Sequence, residues 1–257
     1  KSPQQIAGNI AKHFYAEKLG YKKEDVVFVS ITPCIEKKQE ADRKEMKFEG
    51  IRDVDYVLTT REYARLLKRK GIDFMKLQDG TPIGELMNFT TSNPYASISS
   101  SMLEATLLTA TEMLKEAQNT LEFKEVRGSK GFKEASYHVA GIDINVAIVH
   151  DGSTMQEFFQ RMKKTKKEYH FVEFIAASGQ FGIGGGQPIH PAITQDNVPV
   201  QDIREKALMS LLEGKGESQS PLQSKSMTLY SELLREPGSK LSKKMLHTMY
   251  KAEEFYN

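Results

Sequence analysis

The feature that most constrains this chain is a short apolar run, VVFVSI at 26–31, that ends directly in Thr32-Pro33-Cys34. A continuous run this short and this rich in β-branched residues predicts a buried strand of the parallel type. It also places the only thiol at a strand's C-terminal end, where open α/β sheets usually carry their sites. Helices alternate with such runs. In QQIAGNIAKHFYAEKLG, Ile6, Ile10 and Phe14 recur every four residues, and Gly20 supplies a C-terminal stop. A second strand, DYVLTT from Asp55, leads into REYARLLKRKG, with Thr59 and Glu62 at capping-box spacing and Gly71 at the end.

The polar stretch 89–101, broken by Pro94, precedes a helix expected over about 101–117, with Leu103, Leu107 and Met113 on its apolar side. ASYHVAG and INVAIVHDG, joined across a glycine, predict a hairpin. A helix near 154–164 and the strand HFVEFIA (170–176) then lead into SGQFGIGGGQP (178–188). Beyond about residue 195 only helices are expected, near 201–213, 226–236 and 240–254, with a Gly/Ser-rich linker at 214–225.

The 36 basic and 34 acidic side chains nearly cancel, to a net +2, which weakens the case for nucleic acid or an anionic membrane as partner. No apolar run reaches the roughly 18 residues a membrane-spanning helix needs, and no signal peptide opens the chain. The single cysteine excludes internal disulfides and points to a reducing compartment such as the cytoplasm. Lys1 in place of an initiator Met reads as the start of a fragment.

GIGGGQP lacks the Lys-Ser/Thr pair of a phosphate loop, and Pro188 and Pro191 oppose an immediate helix. A loop that must pass close to its neighbours is the better reading. Lys37 and Lys38 after Cys34 form a setting that would lower a thiol pKa, but no histidine is assignable as its base, and an inert thiol at a strand end is the better reading. The six histidines show no metal-type spacing. MKKTKKEYH (162–170) reads as a solvated helix end, and Glu36, Glu40 and Asp42 read as local ion-pair partners.

KSPQQ, TPCIEKKQEADR, RDVDYVLTTREYARLL, EATLLTA, VRGSKGFKEA, YHFVEF, GGGQP and LREPGSKLSKKMLHTMY fall in register with one known family. Through them the chain closely resembles the catalytic domain of iron-only (FeFe) hydrogenases. The resemblance implies an α/β fold of two lobes, with small, mostly parallel sheets flanked by helices around a central cleft, plus a helical C-terminal segment. It divides the chain into a large-subunit-like region, 1–195, and a small-subunit-like segment, 196–257.

In that family four cysteines hold the H-cluster, a 4Fe–4S cubane bridged to a two-iron centre. By resemblance, Cys34 is the one cluster ligand retained in this sequence, the cysteine of the TSCCP-type motif would lie upstream of Lys1, and Lys37 is the pocket lysine. Ser2, Pro3 and Gln4 line the same pocket. The two cysteines expected before GGGQP are Ala177 and Phe181, and the methionines expected beside the second and third cysteine motifs are Thr32 and Ile175. One thiolate cannot hold a four-iron cubane.

The expectation is therefore a chain with no H-cluster of its own, non-catalytic, acting in the cytoplasm through a hydrogenase or another redox subunit, with no nucleic acid and no membrane insertion. The alternative is an active or sensory hydrogenase interconverting protons and H2 with ferredoxin-type donors and carrying the H-cluster. A small-molecule binder using the vacated cleft is a third reading.

Overall fold

The computed structural model describes residues 1–78, 80, 101–115, 124–125, 131–175, 184–189, 198–210, 226–249 and 251. Expectations that fall on 89–100, on Ala177 and Phe181 and on the linker 214–225 lie outside the described residues. By compactness the chain divides into two units. The first comprises 1–90, 185–188 and 225–257, and the second 91–184 and 189–224. Compactness does not divide the chain at residue 195: it groups the C-terminal helices with the N-terminal residues.

In the first unit, α1 (Pro3–Ile10) starts with proline in its first turn, where a missing N–H costs nothing. It continues through a π-helical turn, Ala11–Tyr15, into α2 (Ala16–Lys18), which stops at Gly20 with φ +77°. Ile10, Tyr15 and the partly buried Ile6 and Phe14 pack with Leu229, Leu234 and Met245. Those last three come from α8 (Ser226–Leu229), the π-helical turn Tyr230–Leu234 and α9 (Lys240–Leu246). The expected N-terminal stripe is therefore a core seam, and α9 is shorter than the 240–254 expected.

β1 (Val29–Thr32) pairs in parallel with β4 (Tyr56–Thr59), Thr32 opposite Thr59. The expectation of a strand buried on both faces fails, since Val29 and Ile31 are exposed while Ser30 and Thr32 are half-buried. β1 leads to α3 (Glu36–Asp42), and β4 leads to α4 (Thr60–Arg69). Between them lies a tight antiparallel hairpin, β2 (Lys47–Phe48) with β3 (Ile51–Arg52). The capping box on α4 is present as expected. Thr59 Oγ1 accepts from Glu62 N at 3.2 Å, and Glu62 Oε2 accepts from Thr59 N at 2.9 Å.

One seam fixes α1 against the segment leading into β4. At Gly8 a Cβ would overlap the carbonyl of Asp53, so only glycine allows this approach. Around it, Asn9 Nδ2 donates to Asp53 Oδ1 at 2.6 Å and Lys1 Nζ pairs with Asp53 Oδ2 at 2.7 Å. Lys12 Nζ pairs with Asp55 Oδ2 at 2.6 Å and donates to the Arg52 carbonyl at 2.8 Å. Each buried ammonium thus meets a carboxylate, which offsets the cost of taking it out of water.

The second unit holds a four-stranded sheet in the order β5 (Lys124–Glu125), β6 (Phe132–Val139), β7 (Ile142–His150), β8 (Phe171–Ile175). The β6–β7 hairpin turns on Ala140 and Gly141, both at positive φ, the two-residue geometry whose twist suits adjacent strands. Successive residues of β7 alternate between two cores. Val146 and Ile148 pack with Leu103 and Leu107 of α5 (Ser101–Met113). Ala147 and Val149 pack with Phe158 of α6 (Gly152–Thr165). Burial on both faces is why INVAIVH reads as a continuous apolar run. Met113, expected on the apolar side of α5, is instead exposed near the helix end. The unit is completed by α7 (Val200–Ser210).

The sheets are small and flanked by helices, but their pairing is mixed. β1–β4 and β7–β8 are parallel, while β2–β3, β5–β6 and β6–β7 are antiparallel, so "mostly parallel" does not hold among the described residues.

Two stability measurements follow from this packing. Gly8→Ala should destabilise the chain by about 3 kcal/mol in urea unfolding, since the overlap outweighs any helix-propensity gain. Glu62 is held at about 2 by the Lys38 ammonium first and the Thr59 N–H second. Its stabilisation is therefore complete above about pH 4.5 and is lost as pH falls toward 2. The gap in urea midpoint between the natural chain and Glu62→Gln should close over that interval, and a gap constant down to pH 2 would contradict the assignment.

Candidate functional site

The parallel pair brings the C-terminal ends of β1 and β4 side by side, and a glycine loop closes over them. Gly186 N donates to the Pro33 carbonyl at 2.8 Å, and Gly186 O accepts from Arg61 N at 2.9 Å. A Cβ on Gly186 would lie 2.8 Å from both Pro33 O and Thr59 Cβ, and one on Gly185 would lie 3.1 Å from Ile35 Cγ2. The loop is thus a close-packed strap, as its glycines imply. The Gly186 amide that a phosphate would need already serves a carbonyl.

Cys34 sits in the turn between β1 and α3, its N–H donating to Thr32 Oγ1 at 3.2 Å. Its Sγ lies 2.8 Å from Glu36 Oε2. Burial first, and the Glu36 carboxylate second, push the thiol above the ordinary cysteine range; Lys37 opposes this only weakly. The expectation that the two lysines lower this pKa is therefore overturned. Both are engaged elsewhere, Lys37 Nζ on Glu40 at 3.2 Å and Lys38 Nζ on Glu62 at 2.7 Å.

Three of the expected residues of this unit, Ser2, Gln4 and Lys37, meet on Glu40. Its Oε2 accepts from Ser2 Oγ at 2.7 Å, from Gln4 Nε2 at 3.1 Å and from Lys37. Gln4 Nε2 also donates to the Lys37 carbonyl at 3.0 Å, while Gln4 Oε1 accepts from Ser30 Oγ at 2.9 Å. Ser2, Gln4, Ser30, Lys37 and Glu40 form one network joining the start of α1, β1 and α3, with Pro3 setting the first turn of α1. Ile175 ends β8 in the other unit, its carbonyl accepting from Asp151 N at 2.8 Å. Glu36, Glu40 and Ser30 carry more of this site than their sequence context announces. The available signals are the i,i+3 spacing of Lys37 and Glu40, and one hydroxyl interrupting an apolar run.

The donor set can be tested against an iron–sulfur cluster directly. The chain has one thiol, and that thiol faces a carboxylate. Among the described residues no group of three or more His, Cys, Asp or Glu side chains is placed to hold a metal ion. This chain's own residues do not fit a four-thiolate cluster.

Comparison with known proteins places the scaffold. Residues 1–182 match the family described as iron only hydrogenase large subunit, C-terminal domain. The chain is 39% identical over 196 residues to the periplasmic [Fe] hydrogenase large subunit of Nitratidesulfovibrio vulgaris, covering 76% of this chain and 47% of that protein. It is 28% identical over 263 residues to cytosolic iron-sulfur assembly component 3 of Pongo abelii, covering 99% and 53%. The structure of a variant of the [FeFe]-hydrogenase HydA1 from Chlamydomonas reinhardtii superposes with a TM-score of 0.83 at 25% identity, over 97% of this chain and 69% of that one. The chain belongs to the iron-only hydrogenase family. It spans about half the length of the curated relatives it matches.

Alkylation of the single cysteine tests the environment described. The rate should still be climbing above pH 9, and Glu36→Gln should move the inflection to lower pH. A natural-chain inflection below about 8 would contradict the thiol–carboxylate contact.

Proposed function

We propose that this chain is a non-catalytic member of the iron-only hydrogenase family that has lost its cluster ligands and acts by association with a hydrogenase or another redox subunit. The observation that carries this reading is the donor set: Ala177 and Phe181 stand at two of the family's cysteine positions, and the one thiol present, Cys34, is turned to Glu36. Lys37 supports it from the other side. A pocket lysine held by Glu40, with Ser2 and Gln4 on the same carboxylate, is an element of the scaffold. On this reading Thr32, Ile175, Ala177 and Phe181 stand at the sequence positions of the family's cluster ligands and their neighbours, and residues 1–195 and 196–257 correspond to the large- and small-subunit-like parts.

The relatives support a separation of scaffold from hydrogen chemistry. They include a hydrogenase and a protein named for cytosolic iron–sulfur assembly, so the same architecture serves under both names. The latter name also favours a cytoplasmic setting and a role in protein contacts. No helix among the described residues is long and apolar enough to cross a membrane.

Iron analysis with visible absorbance on anaerobically purified protein tests the proposal. Substoichiometric iron and no cluster absorbance are the expected result. About four to six irons per chain would end it and restore the reading as an active or sensory hydrogenase carrying the H-cluster.

A further inference from the structure

A half-open cavity of about 400 Å3 is lined by residues of the first unit, and no residue of the strand-end site lines it. Three irregular pieces of backbone meet there. Lys12 and His13 come from the π-helical turn after α1, and Leu233 comes from the second π-helical turn. Glu49, in the β2–β3 turn, is a non-glycine residue at φ +50°. π-helical turns and left-handed non-glycine residues cost stability and concentrate at functional sites. All three converge on this one cavity.

Its lining has two characters. Phe48, Leu241 and Met245 give an apolar wall, with the His13 ring edge-on to Phe48 at 4.8 Å between centroids. The His13 side chain is 6% exposed, and burial lowers its pKa, so a neutral imidazole extends that wall. The lining also carries both signs of charge in balance, Lys12, Lys22 and Lys23 with Glu17, Glu24 and Glu49. Lys23 Nζ sits 2.6 Å from Glu49 Oε2, the same oxygen that lies 4.0 Å from His13 Nδ1.

We propose that this cavity binds a small zwitterion with an apolar body, the chemical class of a free hydrophobic amino acid. The ligand's carboxylate meets Lys22 and Lys23, its ammonium meets Glu24 and Glu49, and its side chain covers Phe48 and Leu241. An exposed ion pair such as Lys23–Glu49 contributes little by itself, so a ligand bringing one charge of each sign replaces it at small cost. Burial of the apolar body then drives binding, and the volume suits a molecule of that size. A simple anion lacks the apolar body and meets Glu24 and Glu49. This site is independent of the reading given to Cys34.

Titration calorimetry on the full chain with leucine, phenylalanine and methionine tests the assignment. Saturable binding is expected for at least one of them. Glycine, N-acetyl-leucine and leucinamide, which lack the body, the ammonium or the carboxylate, should bind about tenfold more weakly or not at all. Leu241→Trp, which fills the cavity, and Lys23→Glu, a surface change that reverses one charge at the mouth, should each weaken binding about tenfold. Lys23→Glu gives the answer should Leu241→Trp fail to fold. Absence of saturable binding by all three amino acids would overturn the proposal. So would equal binding of glycine or N-acetyl-leucine, or undiminished binding in folded Lys23→Glu.

Discussion

The first unit depends on the close approach of α1 to the segment that becomes β4. With no side chain at Gly8, the helix lies directly on the Asp53 carbonyl, near enough for Asn9, Lys12 and Lys1 to reach Asp53 and Asp55. Those lysines are buried, and burying an ammonium is costly unless a carboxylate accompanies it. The ion pairs therefore specify the docking more than they stabilise it. Once α1 is set, its first turn delivers Ser2 and Gln4 to α3, and its apolar stripe receives the C-terminal helices. A polar network and a hydrophobic core thus hang on one glycine and two aspartates.

The same logic explains what remains at the strand ends. Gly186 straps β1 and β4 together through its own amide and carbonyl, Glu62 caps α4 and holds Lys38, and Glu40 gathers Lys37, Ser2 and Gln4. Each contact is satisfied within the polypeptide. A lysine and a thiol that sequence reasoning assigns to cofactor chemistry are here partners of carboxylates, which is how polar groups near a protein interior avoid the penalty of burial without a partner.

Much of this is legible from residue order because the signals are local. The Thr59–Glu62 box, the Gly20 stop, the β6–β7 hairpin and the tight glycine strap each depend on spacing or on the conformational freedom of one residue type. The failures are non-local. VVFVSI reads as a strand buried on both faces, but its hydroxyl-bearing side is the better covered, because Gln4 from a distant helix needs a partner in Ser30. Hydropathy cannot reveal that contact. Nor can it show that Leu229, Leu234 and Met245 complete the core begun by Ile10, since more than two hundred residues separate them. Cys34 misleads through its neighbours in sequence. Lys37 and Lys38 sit beside it in the chain but turn to Glu40 and Glu62, leaving Glu36 as the charged group in contact with the thiol.

The central claim is that a hydrogenase scaffold persists here on packing and internal polar contacts, with too few donors to hold a cluster. Native mass spectrometry after anaerobic incubation with ferrous iron and sulfide examines it most directly. The account predicts the mass of the polypeptide alone, and a discrete increment equal to a bound four-iron, four-sulfide unit would contradict it.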